Sequence, residues 1–151
     1  MEGINQTVFA YGQTSSGKTF TMKGYPKDGE VTGLIPLSVQ QIYRNAQSNS
    51  NCKYDISVSY IEIYNEGVND LIDPANKNLE VRESITNGIY INRLSEKSVK
   101  DFDEVMSYMS RGDEFRNTAA TKLNELSSRS HTVFRIHIKS EDAESGKIKL
   151  S

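Results

Sequence analysis

Eight consecutive residues, Gly12-Gln13-Thr14-Ser15-Ser16-Gly17-Lys18-Thr19, carry the most legible chemistry in this chain. They fit G-x-x-x-x-G-K-[ST], the pattern of a phosphate-binding loop. The two glycines let the backbone wrap closely around phosphate oxygens. The amides of residues 13 to 19 then converge as a nest at a helix N-terminus, where aligned donors favour an anion. Lys18 is long enough to reach β- and γ-phosphates, and the Thr19 hydroxyl is a ligand for Mg²⁺. Such a loop needs a strand before it and a helix after it. Thr7-Val8-Phe9-Ala10-Tyr11 reads as a short buried strand, and Thr19-Phe20-Thr21-Met22 as a helix opening.

A second polar cluster lies at Asn124-Glu125-Leu126-Ser127-Ser128-Arg129-Ser130-His131. By itself it reads as turn and capping chemistry, the ordinary use of Ser and Asn beside helices. Beside a phosphate loop it has another use. A γ-phosphate calls for hydroxyl ligands on Mg²⁺, donors to an attacking water and a positive charge.

The bulk properties bound what else the chain can be. Its 151 residues are enough for one domain with a core. Apolar residues make up 36% and charged residues 25%, a globular balance. The net charge of −2 gives no global electrostatic case for nucleic acid or an anionic membrane, so neither is expected as a partner. No apolar run approaches membrane-spanning length. Met1-Glu2-Gly3-Ile4 does not open a signal peptide. Cys52 stands alone, so there is no disulfide framework and no Cys-based metal site. A reducing intracellular compartment fits these features.

The elements that must position the two clusters alternate between strand and helix. Gly24, Pro26, Gly29 and Gly33 mark a loop over 23–33. A helix is predicted from about Pro36, with Ile35, Val39, Ile42 and Tyr43 on one face. Ser48 to Asn51 is a polar turn. From Lys53 to Asn65, Tyr54, Ile56, Val58 and Tyr60 alternate with Asp55, Ser57 and Ser59, a long strand. The apolar parity shifts at Ile61 and Ile63, which suggests a bulge or a change of face. Leu79 to Arg82 and Gly88 to Ile91 read as a hairpin about Asn87-Gly88. Asp101 is an N-cap with Glu104 in the capping-box position, and the helix runs to about Asn117. Its stripe of Phe102, Val105, Met106 and Met109 is core packing. His131 to Lys139 is a second clear strand. Glu141 to Lys147 is a charged turn, and 147–151 begins something apolar. The fold class is therefore α/β, a sheet covered by helices.

Three segments together resemble kinesin motor domains: Gly12 to Met22, Ser59-Tyr60-Ile61-Glu62-Ile63-Tyr64-Asn65-Glu66 with Asp70-Leu71, and Asn124 to His131. They occur in kinesin order and at kinesin-like spacing, and the likeness runs over 1–151. Met1-Glu2-Gly3 and His131-Thr132-Val133-Phe134-Arg135 look most like the centromere-protein-E-like group. The resemblance implies a phosphate-loop NTPase fold of three layers with a mixed central sheet, present here in part. It implies ATP and Mg²⁺ as cofactors, microtubules as partner, and a cytoplasmic place on the microtubule cytoskeleton, with spindle or kinetochore as narrower sites. The parent protein is expected to be a homodimer through a stalk that lies outside these residues.

Carried over by position, Gly12, Gln13, Thr14, Ser15, Ser16, Gly17, Lys18 and Thr19 bind the ATP phosphates. Phe20 takes the position near the adenine. Asn124 to His131 is the first switch loop. In it Ser128 matches the hydroxyl on Mg²⁺, beside Thr19, and Ser127 the one beside the γ-phosphate and attacking water. Arg129 matches the arginine that pairs with a second-switch glutamate, and Asn124 a support of the closed loop. Leu79 to Ile91 matches a two-stranded lobe, one edge of which touches tubulin. An unrelated phosphate-loop NTPase is disfavoured by the two further motifs.

The family's second switch, Asp-Leu-Ala-Gly with its following Glu, is expected beyond Ser151. Leu71-Ile72-Asp73 is the nearest substitute here, and with Pro74 behind it reads as a turn. In the kinesin fold the strand before the phosphate loop has both sheet neighbours downstream of residue 151. Thr7 to Tyr11 are then expected without partners, and unpaired strand groups are costly to bury. The isolated chain is expected to be no competent ATPase. The other reading is a truncated, inactive product that keeps weak nucleotide or partner binding.

Overall fold

A computed structural model describes residues 3–24, 32–85, 88–121 and 130–151, with the backbone alone at 117–121. The chain divides into two compact units. One comprises Met1–Ile56, Lys100–Met106 and His137–Ser151, and the other Ser57–Val99 and Ser107–Ile136.

In the first unit, helix α1 spans Lys18–Lys23 and packs on helix α2, Leu34–Ser48. Helix α2 starts two residues before Pro36, which takes an early position where its missing N–H costs nothing. Val39 is buried, with Ile35, Ile42 and Tyr43 half-buried on the face the 3.6-residue period selects. Asp101 caps the helix that follows by accepting the Glu104 N–H (2.8 Å). The Glu104 carboxylate accepts the Lys100 N–H (2.9 Å), one residue outside the usual capping box. Strand β7, Ile148–Leu150, pairs antiparallel with the end of strand β6, Ser130–Asp142. The turn between them closes on Asp142, whose carboxylate accepts the Ser145 N–H (2.8 Å) and hydroxyl (2.7 Å). These bonds favour the ionised form and lower the carboxyl pKa.

The second unit is built on the long strand β1, Cys52–Tyr64, which also reaches into the first. It pairs antiparallel with β2, Gly67–Asp70, and with the short β5, Lys97–Ser98. The sheet runs in the order β2-β1-β6-β7. A separate hairpin joins β3, Val81–Ser84, to β4, Gly88–Ile91. Leu79, expected in that hairpin, instead donates its N–H to the Val68 carbonyl (2.7 Å).

Val58, Tyr60, Ile61, Val68, Leu71, Ile72 and Val99 are buried apolar residues of the second unit. From Val58 to Glu62 every β1 residue is buried. The expected bulge is therefore not what shifts the parity. The pairing from Ile61↔Asp70 to Tyr64↔Gly67 is continuous, and β1 is covered on both faces. Helix α3, Phe102–Thr121, runs four residues past the expected end. Its glycine, Gly112, lies against Tyr60, where an added Cβ would come within 2.5 Å of the ring.

One expectation fails outright. Thr7 to Tyr11 belong to no strand, and Val8, Phe9 and Tyr11 are 64%, 81% and 96% exposed. A strand exists only as a pairing, and no described strand pairs with this segment.

Candidate functional site

The phosphate-loop residues form one continuous turn onto α1. Gly17 is the N-cap of α1 with φ 90° and ψ 9°, a left-handed conformation that a side chain would strain. Ser15 also has positive φ, 63°, a conformation that non-glycine residues tolerate in tight polar turns. The Ser16 N–H donates to the Gln13 carbonyl (3.3 Å), and the Thr21 N–H to the Gly17 carbonyl (2.9 Å), which is the first turn of the helix. The helix start has no side-chain cap. The first amides of a helix have no intrahelical acceptor, so donors at 17–19 remain for an anion.

Lys18 points back over this loop. Its ammonium donates to the Gly12 carbonyl (2.8 Å) and the Gln13 carbonyl (2.7 Å). Both acceptors are neutral, and the pair is solvent-exposed. A phosphate oxygen is the stronger acceptor because the bond is then charge-assisted on both sides. The loop thus fits a polyphosphate on three counts: left-handed turns at 15 and 17, an uncapped helix start, and a cation already centred on the loop. Thr19, second in α1, is exposed, as a Mg²⁺ ligand must be. Among the described residues no group of three or more His, Cys, Asp or Glu is placed to hold a metal ion. Phe20 follows Thr19 and is mostly exposed.

The expected residues Asn124, Ser127, Ser128 and Arg129 lie outside the described residues. The two ends of their motif region are described. Upstream, Arg116 of α3 faces the buried Glu62 of β1, Nε to Oε1 3.4 Å. Downstream, Ser130 opens β6 and accepts hydrogen bonds from the same guanidinium (2.9 and 3.2 Å). Sequence reasoning passed over this trio. A signal was present: a glutamate inside the apolar run Tyr60 to Tyr64 demands a buried cation.

Asp70 is a second polar residue the motif reading left without a role. It is 2% exposed. Its Oδ1 accepts the N–H groups of Ile72 (2.8 Å) and Asp73 (3.1 Å), and Oδ2 that of Ser95 (2.8 Å). It therefore closes the Leu71–Asp73 turn and ties it to the chain entering β5. The turn expected at Leu71-Ile72-Asp73 is present.

The hairpin of β3 and β4 is open to solvent, with Val81, Ile85 and Ile89 exposed. No described helix is long and apolar enough to cross a membrane.

Comparison with known proteins gives these features a family. A solved structure described as that of a fast kinesin superimposes with a TM-score of 0.92 at 43% identity, over 98% of this chain and 42% of that one. A kinesin-like protein KIN-7I of Oryza sativa subsp. japonica is 44% identical over 142 residues, 94% of this chain and 11% of the relative. Kinesin-related protein 4 of Dictyostelium discoideum is 41% identical over 155 residues, covering all of this chain and 8% of its own length. A kinesin heavy chain of Syncephalastrum racemosum is 45% identical over 149 residues, 97% of this chain and 16% of its length. The chain thus spans a small part of these curated relatives and under half of the solved motor. The family model for the kinesin motor domain matches residues 1–151. With the phosphate loop, the strand–helix order and a shared α/β fold, the chain belongs to the kinesin motor-domain family.

Proposed function

We propose that this chain is the ATP-binding part of a motor that hydrolyses ATP to move along microtubules. The observation that carries the proposal is the loop Gly12 to Thr19, with Lys18 held over two of its own carbonyls at an uncapped helix start. On this reading the loop amides cradle the phosphates, and Lys18 exchanges neutral carbonyls for the β- and γ-phosphate oxygens. Thr19 and Ser128 hold Mg²⁺, which neutralises phosphate charge when bound. Phe20 lies beside the adenine. Ser127 orients the attacking water, Arg129 closes the site and Asn124 supports it. Catalysis in such a site is positioning and charge stabilisation, with water as nucleophile.

The segment Leu79 to Ile91, which holds the β3–β4 hairpin, is the proposed tubulin contact, supported by the hairpin's exposed apolar side chains. The parent motor is a homodimer that works on the cytoplasmic microtubule cytoskeleton. Met1 to Gly3 and His131 to Arg135 support a centromere-protein-E-like assignment within the family, with spindle or kinetochore as the place of work.

Equilibrium dialysis of the chain against labelled ATP with Mg²⁺ tests the proposal. Saturable binding is expected, weakened about tenfold or more in Lys18→Ala, the loss of a charge-assisted contact. Equal binding by both proteins would overturn it.

A further inference from the structure

Glu62 is only 5% exposed, yet its Oε1 accepts no hydrogen bond. Buried carboxylates normally gather donors, because an unsatisfied charge in the interior is costly. The guanidinium of Arg116 lies 3.4 Å away with five N–H groups to give. It directs three contacts to Ser130 instead. Nε and Nη2 donate to Ser130 Oγ at 3.2 and 2.9 Å, and Nη2 also to the Ser130 carbonyl at 3.3 Å. Glu62 thus supplies the counter-charge that makes a buried guanidinium tolerable, while the directional bonds hold Ser130 by side chain and backbone together.

The base of this arrangement is fixed. Three residues earlier on α3, Asp113 accepts the Tyr60 hydroxyl (2.7 Å), and Tyr60 is two residues before Glu62 on the same face of β1. Phe134 stacks edge-on to Tyr60 with ring centroids 5.3 Å apart. Residues 60 and 62 of β1, 113 and 116 of α3, and 130 and 134 of β6 therefore form one ladder. Arg116 is its polar end, and Ser130 lies within the motif Asn124 to His131.

We propose that Arg116 is a positioning residue that fixes Ser130, and with it the end of the motif that reads the γ-phosphate, with Glu62 orienting the guanidinium. The proposal rests on the function assigned above. Arg116 acts through Ser130. Lysine at 116 keeps a charge for Glu62 but cannot present a planar fork to both Ser130 oxygens.

Hydrogen exchange on the whole chain, with variants R116K, S130A and S130T, tests the positioning role without nucleotide. Amides at 131–134 are expected to exchange about tenfold faster in R116K and S130A, as for one lost charged hydrogen bond. S130T, which keeps the hydroxyl, should match the parent, and the double variant R116K/S130A should exchange no faster than either single. Exchange that rises equally along Val58 to Ile61, or that does not change at 131–134, would overturn the proposal. The ratio of ATP to ADP affinity in Mg²⁺ supplies the second readout. Where the parent prefers ATP, R116K and S130A should lose about tenfold of that preference with ADP affinity unchanged. A parent chain that binds without preferring ATP counts against the γ-phosphate reading, whereas the exchange data decide the role of Arg116 separately.

Discussion

Two segments of this chain have similar strand-forming composition and opposite fates. Thr7-Val8-Phe9-Ala10-Tyr11 leads into the phosphate loop with Val8, Phe9 and Tyr11 in solvent. Val58-Ser59-Tyr60-Ile61-Glu62 is buried throughout, including a serine and a glutamate. Valine and aromatic residues favour extended chain in both. The difference lies in partners. The second segment has β2 and β5 hydrogen-bonded to β1 and a ladder of polar contacts to α3, while no described strand pairs with the first. Burial follows pairing and cover, so polar residues go inside where a counter-charge or hydrogen-bond partner meets them and apolar residues stay outside where nothing covers them.

The contrast is tested hardest by matched aromatic truncations. Tyr60→Ala removes a fully buried ring and the hydroxyl that donates to Asp113, and should cost about 4 kcal/mol of unfolding free energy. Phe9→Ala should change it by less than about 0.5 kcal/mol. Urea titration followed by circular dichroism measures both, and losses of similar size would remove the distinction between the segments.

Asp70→Ala is next in size. Three backbone N–H groups lose a buried acceptor, with an expected loss of about 3 kcal/mol. The same titration reads it, and a change under about 1 kcal/mol would mean that water replaces the carboxylate as acceptor.

Gly24→Ala probes the chain just beyond the phosphate loop, at a residue that is itself buried. Gly24 has φ 70°, and an added Cβ would lie 2.0 Å from the Thr32 carbonyl oxygen. Strain there should cost on the order of 2 kcal/mol. A neutral outcome would show that the Thr32 backbone gives way to the added Cβ.

The smallest effect is a pH dependence. Burial, then the charges of Asp101 and Glu104, push the Tyr43 phenol up to about 12. A folded-state pKa above the unfolded value of about 10 means that the stabilisation is complete below pH 10. It is lost as pH rises towards 12. Tyr43→Phe should therefore flatten the stability profile between pH 10 and 12, measured by thermal melts in that window. An unchanged slope would assign the alkaline loss elsewhere, first to Tyr60, whose phenol is raised by burial and by Asp113.

The phosphate loop was legible because its chemistry is local. Glycines at 12 and 17, a lysine and a hydroxyl at fixed spacing are sufficient to shape a turn onto a helix, and α1 begins at Lys18 as that pattern requires. The capped start of α3 was legible for the same reason, since Asp101 and Glu104 act across a single turn. The hairpin at 81–91 was read to within two residues. The exposure of Val8 and Phe9, the continuous register of β1 with β2 and the role of Arg116 were not legible. Each depends on residues that are distant in sequence: the next strand in a sheet, the cover on a second face, a carboxylate 54 positions away.

The amino-acid order alone therefore determined the kinds of local structure, the phosphate-binding turn and the family. Those follow from backbone sterics and short-range hydrogen bonds, which the residues at hand settle among themselves. Tertiary structure decided which apolar segment is core, which carboxylate is buried and which arginine holds Ser130. Burial and ion pairing are properties of neighbours brought together by the chain path, and their free energies depend on solvent exclusion that no short stretch of sequence creates by itself.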